Sequence, residues 1–364
     1  MISFELTEEQ RMISQTVEAF AREEIRPAAR TADESGQIPP ELVQKIWELG
    51  LVRSVIPEAS GGDGGQRSAV TGVVAAEALA YGDLSIAIHA LVPRLLAYPV
   101  LEMGDQAQRA RYLPLFAQPG FCAASAALTE PRWDFDIFSI ATTARGSGSG
   151  YILNGEKCYV PLARESEFLI VFASCGPAVE GFILPGGCPG LVVGEREKNM
   201  GLKALATYGL TLKDCAVPAE ARLGGERGIN FNRLMSEQKV AAAAMAVGVA
   251  RSAFEYARDY ALQRRAFGAP IATRQAIAFM LAEMAIEIDA SRLLAWEAAS
   301  RLDKGEDALK ESYQAKNYTA SAVLKICDNA VQILGGHGYI REHPVEMWLR
   351  NARGFAMLEG LTTV

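Results

Sequence analysis

A few residues of this sequence belong to types and contexts that suit acid–base or phosphate chemistry. Glu359 follows the apolar run 355–358, where burial would raise the pKa of a carboxyl toward neutrality, as a general base requires. A solvated acid is the alternative interpretation. Arg264 carries a guanidinium that matches diphosphate geometry, although one half of a solvated Arg264-Arg265 pair explains it equally well. Gly335-Gly336 permits close backbone approach to a phosphate, or simply ends a helix.

Common catalytic motifs are missing from the 364 residues. No GxGxxG follows a strand, no phosphate-binding loop of the GxxxxGK type is present, and no His/Cys cluster has metal spacing, so no metal site is predicted. A net charge of −7 without a basic stripe argues against nucleic acid or a membrane surface as partner. Six dispersed cysteines and the lack of a secretory signal predict reduced thiols in a cytoplasmic protein, and no apolar run is long enough to span a bilayer.

The elements that must position these residues fall into three blocks. Apolar residues recur at helical spacing up to about residue 101, with Thr7 as a candidate helix cap and Pro39-Pro40 at a helix start. Short apolar runs then predict strands between about 121 and 223. Long helices are expected at 229–263, 274–303, 307–334 and 344–358. We therefore predict a helical domain at 1–118, a β-domain at 119–226 and a helical bundle at 227–364.

Two local patterns refine this division. Asn154-Gly155 lies between two apolar runs and predicts a hairpin turn, because both residues tolerate positive φ. The stretch 241–246 has five alanines, whose small side chains let a helix approach its neighbours closely, as in a bundle.

Several short motifs, taken in order, resemble the acyl-CoA dehydrogenase family along almost the whole chain. The resemblance implies a mostly helical α+β fold with an N-terminal helical domain, a middle β-domain of two small sheets and a C-terminal four-helix bundle. The motifs are Phe4 to Gln10, Leu128-Thr129-Glu130-Pro131, Asn154-Gly155-Glu156-Lys157, Lys198 to Gly201, Arg264-xx-Phe267-Gly268 with Gln275, Gln332 to Tyr339, and Glu359-Gly360.

The same resemblance implies a FAD-dependent oxidoreductase that acts on the CH-CH group of an acyl thioester. Glu359 would take the α-proton, and the β-hydride would pass to flavin N5. Leu128 and Thr129 would contact the pyrimidine side of the flavin, with Tyr159 against the ring. A neighbouring subunit would contribute contacts to the rest of the cofactor, which implies a homodimer or homotetramer; the contributing residues would be Arg264, Phe267, Gln275, Gln332, Gly335 and Gly336.

The sequence departs from the family pattern around the substrate and the flavin edge. Trp133 and Phe135 replace small residues and are expected to shorten the substrate cleft. Pro161 stands where a Thr or Ser hydroxyl usually meets flavin N5, so the N5 environment must differ. Leu361 follows Glu359-Gly360 in place of the usual Thr. Lys239 stands where the family usually presents Arg near the pantetheine or CoA portion, which makes Lys239 and Gly360 candidate substrate contacts.

These departures leave three functions open. The first is α,β-dehydrogenation of an acyl thioester, on either CoA or an acyl carrier protein. The second is oxidation of a hydroxyacyl or other polar acyl group tethered to an acyl carrier protein, in a biosynthetic pathway. The third is a non-catalytic homologue that has lost the flavin. For either enzyme, electrons would leave through an electron-transfer flavoprotein or through oxygen.

Overall fold

The computed structural model describes residues 5–356 and 359–364, and its first part is helical. Thr7 caps the first helix as predicted: its side chain accepts from the Gln10 backbone N–H while the Gln10 side chain accepts from the Thr7 N–H. The third helix begins at Pro40, also as predicted. The helices are α1 Glu8–Phe20, α2 Arg26–Ser35, α3 Pro40–Glu48, α4 Ala69–Gly82, α5 Leu84–Leu91, α6 Arg94–Met103 and α7 Gln106–Tyr112.

One apolar stretch in this part, Leu84–Met103, is long and apolar enough to cross a membrane, and 89% of its most apolar window is buried inside the protein. The prediction that no apolar run reaches this length is therefore wrong. The stretch combines α5 and α6, whose side chains fill the interior between the N-terminal helices and the sheet. Packing inside the fold accounts for its composition, because an interior helix is apolar on every face.

The middle part of the chain forms one mixed sheet. In spatial order the strands run β1-β4-β2-β3-β7-β6, and β5 pairs with β4. The prediction of two small sheets is wrong because all seven strands belong to one sheet. The pairing of β2 with β4, which joins the two groups of strands, consists of the single pair Thr143–Ser174. The strands are β1 Ala124–Ala127, β2 Thr143–Ser147, β3 Gly150–Pro161, β4 Phe168–Cys175, β5 Ala178–Pro185, β6 Leu191–Arg196 and β7 Thr207–Pro218.

The predicted hairpin at Asn154-Gly155 is not a turn. Both residues lie inside β3, where Gly155 has a φ of 151° at a register shift against β7. A Cβ at Gly155 would meet the Thr142 side chain at 2.5 Å, so this glycine serves a close approach of two chain segments. The tight turn that joins β2 to β3 lies earlier, between Ser147 and Gly150.

The last part of the chain is a helical bundle around the 33-residue α8. Its alanine-rich segment is buried, and a Cβ at Gly248 would overlap the Glu77 carbonyl oxygen of α4. The close approach predicted from small residues is thus present. The elements are α8 Phe231–Gln263, a two-stranded ribbon β8 Arg265–Ala266 and β9 Ala269–Pro270, α9 Gln275–Asp303, α10 Leu309–Leu334, α11 Gly336–Tyr339 and α12 Val345–Ala352.

Candidate active site

Glu359 lies where the sheet and the bundle meet. The Thr129 hydroxyl, just after β1, donates to the Glu359 backbone oxygen at 3.2 Å. Gly360 has a φ of +74°, and a Cβ there would stand 3.0 Å from the Leu128 Cβ. The sequence needs glycine at 360 because this left-handed backbone and this close packing both disfavour a side chain. The fold therefore brings together two pairs of predicted site residues, Leu128-Thr129 and Glu359-Gly360, although Thr129 and Glu359 are 230 positions apart in the chain.

A buried ion pair holds the strand end that carries Leu128 and Thr129. The Lys157 Nζ donates to the Leu128 carbonyl at 2.9 Å and to the Glu130 carboxylate at 3.1 Å. Burial lowers the pKa of Lys157 to about 8, against the opposing effect of Glu130. Burial by itself would raise the pKa of Glu130, but the Lys157 charge and the hydrogen bonds from Thr142 and Ala141 outweigh it and lower that pKa. The lysine of the predicted β3 motif is thus an anchor for the site.

Two ammonium groups face the Glu359 carboxylate. The Lys239 Nζ, on α8, lies 3.1 Å from one carboxylate oxygen, and the Lys316 Nζ, on α10, contacts the other. Lys239 is 1% exposed, and its ammonium lies 4.3 Å from the centroid of the Tyr313 ring. Burial is the main cause that lowers the pKa of Lys239. The apolar context expected for Glu359 from residues 355–358 is therefore incomplete, because the flanking apolar residues do not reveal what other helices bring to the carboxylate.

Lys239 was expected near the pantetheine or CoA portion of a substrate, whereas its ammonium group is bound to Glu359. Sequence reasoning missed Lys316 altogether. Lys239 and Lys316 lie on different helices and 77 positions apart, so no spacing pattern links them. The one feature of the sequence that could have indicated these two residues is that each lysine interrupts an apolar helix face. That feature is not specific, because the ammonium group of such a lysine usually reaches solvent.

A narrow space opens beside the Glu359 carboxylate, and we call it the Glu359 cavity. It has about 30 Å³ of free space and mostly apolar walls contributed by α5, α8 and the segment after α12. Two of its lining residues, Gln238 and Thr362, each carry a buried side-chain oxygen, Oε1 and Oγ1, that has no hydrogen-bond partner in the described parts of the chain. The apolar walls include Leu84, Ile88, Ala242, Met245, Phe355 and Leu361.

A second opening, the Tyr159 cleft, shares the lining residue Leu361 with the Glu359 cavity and has a volume of about 320 Å³. Tyr159 and Leu361 are among the residues that line it, and Gly201 and Gly354 contribute backbone without a side chain. This combination suits a planar ring system, because glycine lets a flat group approach the main chain closely. Tyr159 has a φ of 54°, and its N–H donates to the Glu197 carboxylate. Pro161, two residues on, is buried and pairs with Thr207, which also lines the cleft.

The remaining predicted residues lie away from these two openings. Trp133 is 98% exposed and Phe135 is half-buried, and neither lines the Glu359 cavity or the Tyr159 cleft, so a role in substrate binding stays a prediction. The six residues expected to reach a neighbouring subunit's cofactor are all exposed: Arg264, Phe267, Gln275, Gln332, Gly335 and Gly336.

Comparisons with known proteins agree with this architecture. Models of the acyl-CoA dehydrogenase N-terminal, middle and C-terminal domains match residues 7–119, 125–215 and 228–364. The acyl-CoA dehydrogenase of Bacillus subtilis (strain 168) is 35% identical over 374 residues, which cover 99% of this chain and 96% of the relative. The chain belongs to the acyl-CoA dehydrogenase family, whose members are FAD-dependent oxidoreductases.

Two solved structures illustrate the range of that family. Butyryl-CoA dehydrogenase from Megasphaera elsdenii superposes with a TM-score of 0.89 at 29% identity, covering 100% of this chain and 96% of that one. The prolyl acyl carrier protein oxidase AnaB superposes with a TM-score of 0.87 at 28% identity, covering 99% and 96%. The name of one similar protein thus refers to a CoA substrate, and the name of the other refers to an acyl carrier protein.

Proposed function

We propose that this protein removes the α-proton and the β-hydride of an acyl thioester, with Glu359 as the general base. The observation that carries the proposal is the position of the Glu359 carboxylate, which lines a mostly apolar cavity and is held by the packing of Glu359-Gly360 on Leu128-Thr129. A base must lie within hydrogen-bond reach of the proton that it takes. Lys239 and Lys316 fix the carboxylate in place by contacting one oxygen each.

The Tyr159 cleft supports FAD as the cofactor of this reaction. FAD, when bound, supplies the acceptor for the hydride of the β-carbon. Tyr159, Leu361, Gly201 and Gly354 would hold its ring system, and Leu128 and Thr129 lie next to Glu359 at the edge of the same region. Pro161 offers neither a hydroxyl nor an N–H, so the protein would contact the reactive edge of the flavin through other groups.

Anaerobic spectroscopy tests the reaction directly. Adding butyryl-CoA, or the matching thioester on an acyl carrier protein, to the purified FAD-loaded protein should bleach the long-wavelength flavin band. The released product should be the α,β-unsaturated thioester, identified by mass spectrometry. If neither thioester bleaches the band of a protein that binds FAD, the proposed reaction is wrong. Bleaching by the carrier-bound thioester alone would assign the substrate handle to a carrier protein.

We further propose that the protein works in the cytoplasm as a homodimer or homotetramer and passes its electrons to an electron-transfer flavoprotein. An apolar stripe on α9 supports self-association, since Phe279, Ile286 and Leu293 follow one another at seven-residue spacing and are each exposed by 44% or more. Arg264 is exposed too and forms no ion pair within the described residues. The Arg264 guanidinium is therefore available to bind the diphosphate of the FAD in a neighbouring subunit.

Replacing Arg264 by Ala is expected to weaken FAD binding about 10- to 100-fold, since a charge-assisted hydrogen bond contributes about 1.5–3 kcal/mol. Arg265→Ala is the matched control, because the Arg265 guanidinium donates to the Gly268 oxygen of its own ribbon. Light scattering should show a dimer or tetramer for both variants, and fluorescence titration gives the two dissociation constants. Equal constants for Arg264→Ala and the unmodified protein would remove Arg264 from the cofactor site.

A further inference from the structure

The Glu359 cavity contains two hydrogen-bonding groups that the proposed reaction does not use. Gln238 is 6% exposed and Thr362 is 4% exposed, and the Gln238 Oε1 and the Thr362 Oγ1 both lack a partner among the described residues. A buried polar atom left unpaired costs about 1–3 kcal/mol. Two such atoms on residues that line one small, mostly apolar cavity are therefore candidates to pair with a polar group of a ligand.

The chemistry of these two groups narrows the ligand. The Gln238 amide presents an acceptor to the cavity or, with its amide flipped, a donor, and the Thr362 hydroxyl both donates and accepts. A hydroxyl on the ligand complements both groups in either amide orientation, because it also donates one hydrogen bond and accepts others. A purely aliphatic acyl chain would leave both groups unpaired.

The charges beside the cavity disfavour a cationic ligand group. Lys239 and Lys316 place two ammonium groups on the Glu359 carboxylate, so the three side chains together carry one excess positive charge. A protonated amine on the acyl chain would be repelled by this excess. A carboxylate on the acyl chain has no proton to donate to the Gln238 Oε1, whereas a hydroxyl has one.

The size of the cavity limits the acyl chain. Its free space of about 30 Å³ equals roughly one water molecule's share of liquid volume, and Met245 and Phe355 are part of its wall. A long aliphatic chain would have to displace several packed side chains. A short chain with one polar group fits with less rearrangement.

We infer that the acyl group of the substrate is short and carries a neutral hydroxyl, which Gln238 and Thr362 recognise. The inference rests on the proposed function, because it names the substrate of the same site. Gln238 and Thr362 are specificity-determining residues in this assignment, and Glu359 remains the base.

A set of matched pantetheine thioesters tests this specificity independently of the CoA or carrier handle. The acids are butyrate, 2-hydroxybutyrate, 3-hydroxybutyrate and 3-aminobutyrate, with both enantiomers of each substituted acid. The measurement is the rate constant of anaerobic flavin reduction divided by the dissociation constant. We expect at least one hydroxylated thioester to exceed butyrate about tenfold or more, and the amine to fall below it.

Two substitutions separate recognition from the intrinsic reactivity of the hydroxylated acids. Gln238→Leu and Thr362→Val should each lower the hydroxylated-to-butyrate ratio at least fivefold. Thr363→Val is the matched control, since Thr363 is buried beside Thr362 but does not line the cavity, and it should keep the ratio. The two variants change different elements, so the test survives if one of them fails to fold.

The outcomes distinguish the inference from the function on which it rests. If butyrate reduces the flavin as well as every hydroxylated acid does, or if the ratio is unchanged in both variants, the inference fails and the proposed function stands. A better rate with the amine also overturns it. If no thioester reduces the flavin, the proposed function itself fails.

Discussion

Glu359→Gln is expected to lower kcat about 10²- to 10⁴-fold while FAD stays bound, because a positioned general base contributes that much to proton abstraction. Glutamine has nearly the same shape as glutamate, so the packing of residue 359 against Thr129 should survive. Stopped-flow flavin reduction under anaerobic conditions measures the chemical step, and the flavin absorbance of the purified variant measures cofactor content.

Glu342→Gln is the control for this substitution, because it makes the same change at an exposed acid in the same part of the chain. Glu342→Gln should leave both the rate of flavin reduction and the FAD content unchanged. A loss of FAD in Glu359→Gln would point to a structural role of the ion pairs with Lys239 and Lys316. A kcat within twofold of the unmodified protein would show that Glu359 is not the base.

Lys157→Met is expected to lower the free energy of unfolding by about 3–5 kcal/mol, the usual cost of removing one partner of a buried ion pair. Lys157 is 1% exposed and Glu130 is 3% exposed, so the carboxylate would remain buried with only the more distant Arg132 guanidinium, at 3.6 Å, as its cation. The substitution also removes the hydrogen bond to the Leu128 carbonyl. The segment that positions Thr129 against Glu359 should loosen, and the FAD content should fall with stability.

Urea unfolding of Lys157→Met, followed by circular dichroism, measures this loss. Lys213→Met supplies the control, because Lys213 is an exposed lysine on the neighbouring strand β7, and its removal should cost less than about 0.5 kcal/mol. The double variant Lys157→Met/Glu130→Gln should lose less stability than the sum of the two single variants, since it no longer buries a carboxylate that has lost its Lys157 partner. A loss below about 1 kcal/mol for Lys157→Met would rule out the anchoring role.

The helices and their limits follow closely from local sequence. The first three C-terminal helices were expected at 229–263, 274–303 and 307–334, and the structure has Phe231–Gln263, Gln275–Asp303 and Leu309–Leu334. The fourth was expected at 344–358, but its α-helix is Val345–Ala352, followed by the 3-10 helix Arg353–Ala356, and residues 357–358 lie outside the described residues. Helix formation depends on contacts three and four residues apart, which the sequence pattern displays directly. The Thr7 cap and the Pro40 start are local for the same reason.

Strand pairing was harder to predict from the same sequence. Asn154-Gly155 has the composition of a hairpin turn but lies inside β3, where its register shift is imposed by pairing with β7. The partner of a strand lies far away in the chain. A local pattern therefore cannot show whether a glycine forms a turn or makes room for another segment. The joining of all seven strands into one sheet likewise depends on the single long-range pair Thr143–Ser174.

The sequence by itself determined the family and the candidate base Glu359, because motifs in a fixed order resemble those of known enzymes. Only the tertiary structure decided what surrounds that base. Lys239 and Lys316 reach Glu359 from two helices, and Gln238 and Thr362 meet in one cavity from elements 124 positions apart. Such groups become neighbours through helix packing, which leaves no periodic trace in the sequence. The charge and polarity of the site, and with them the substrate that it selects, are therefore properties of the folded chain.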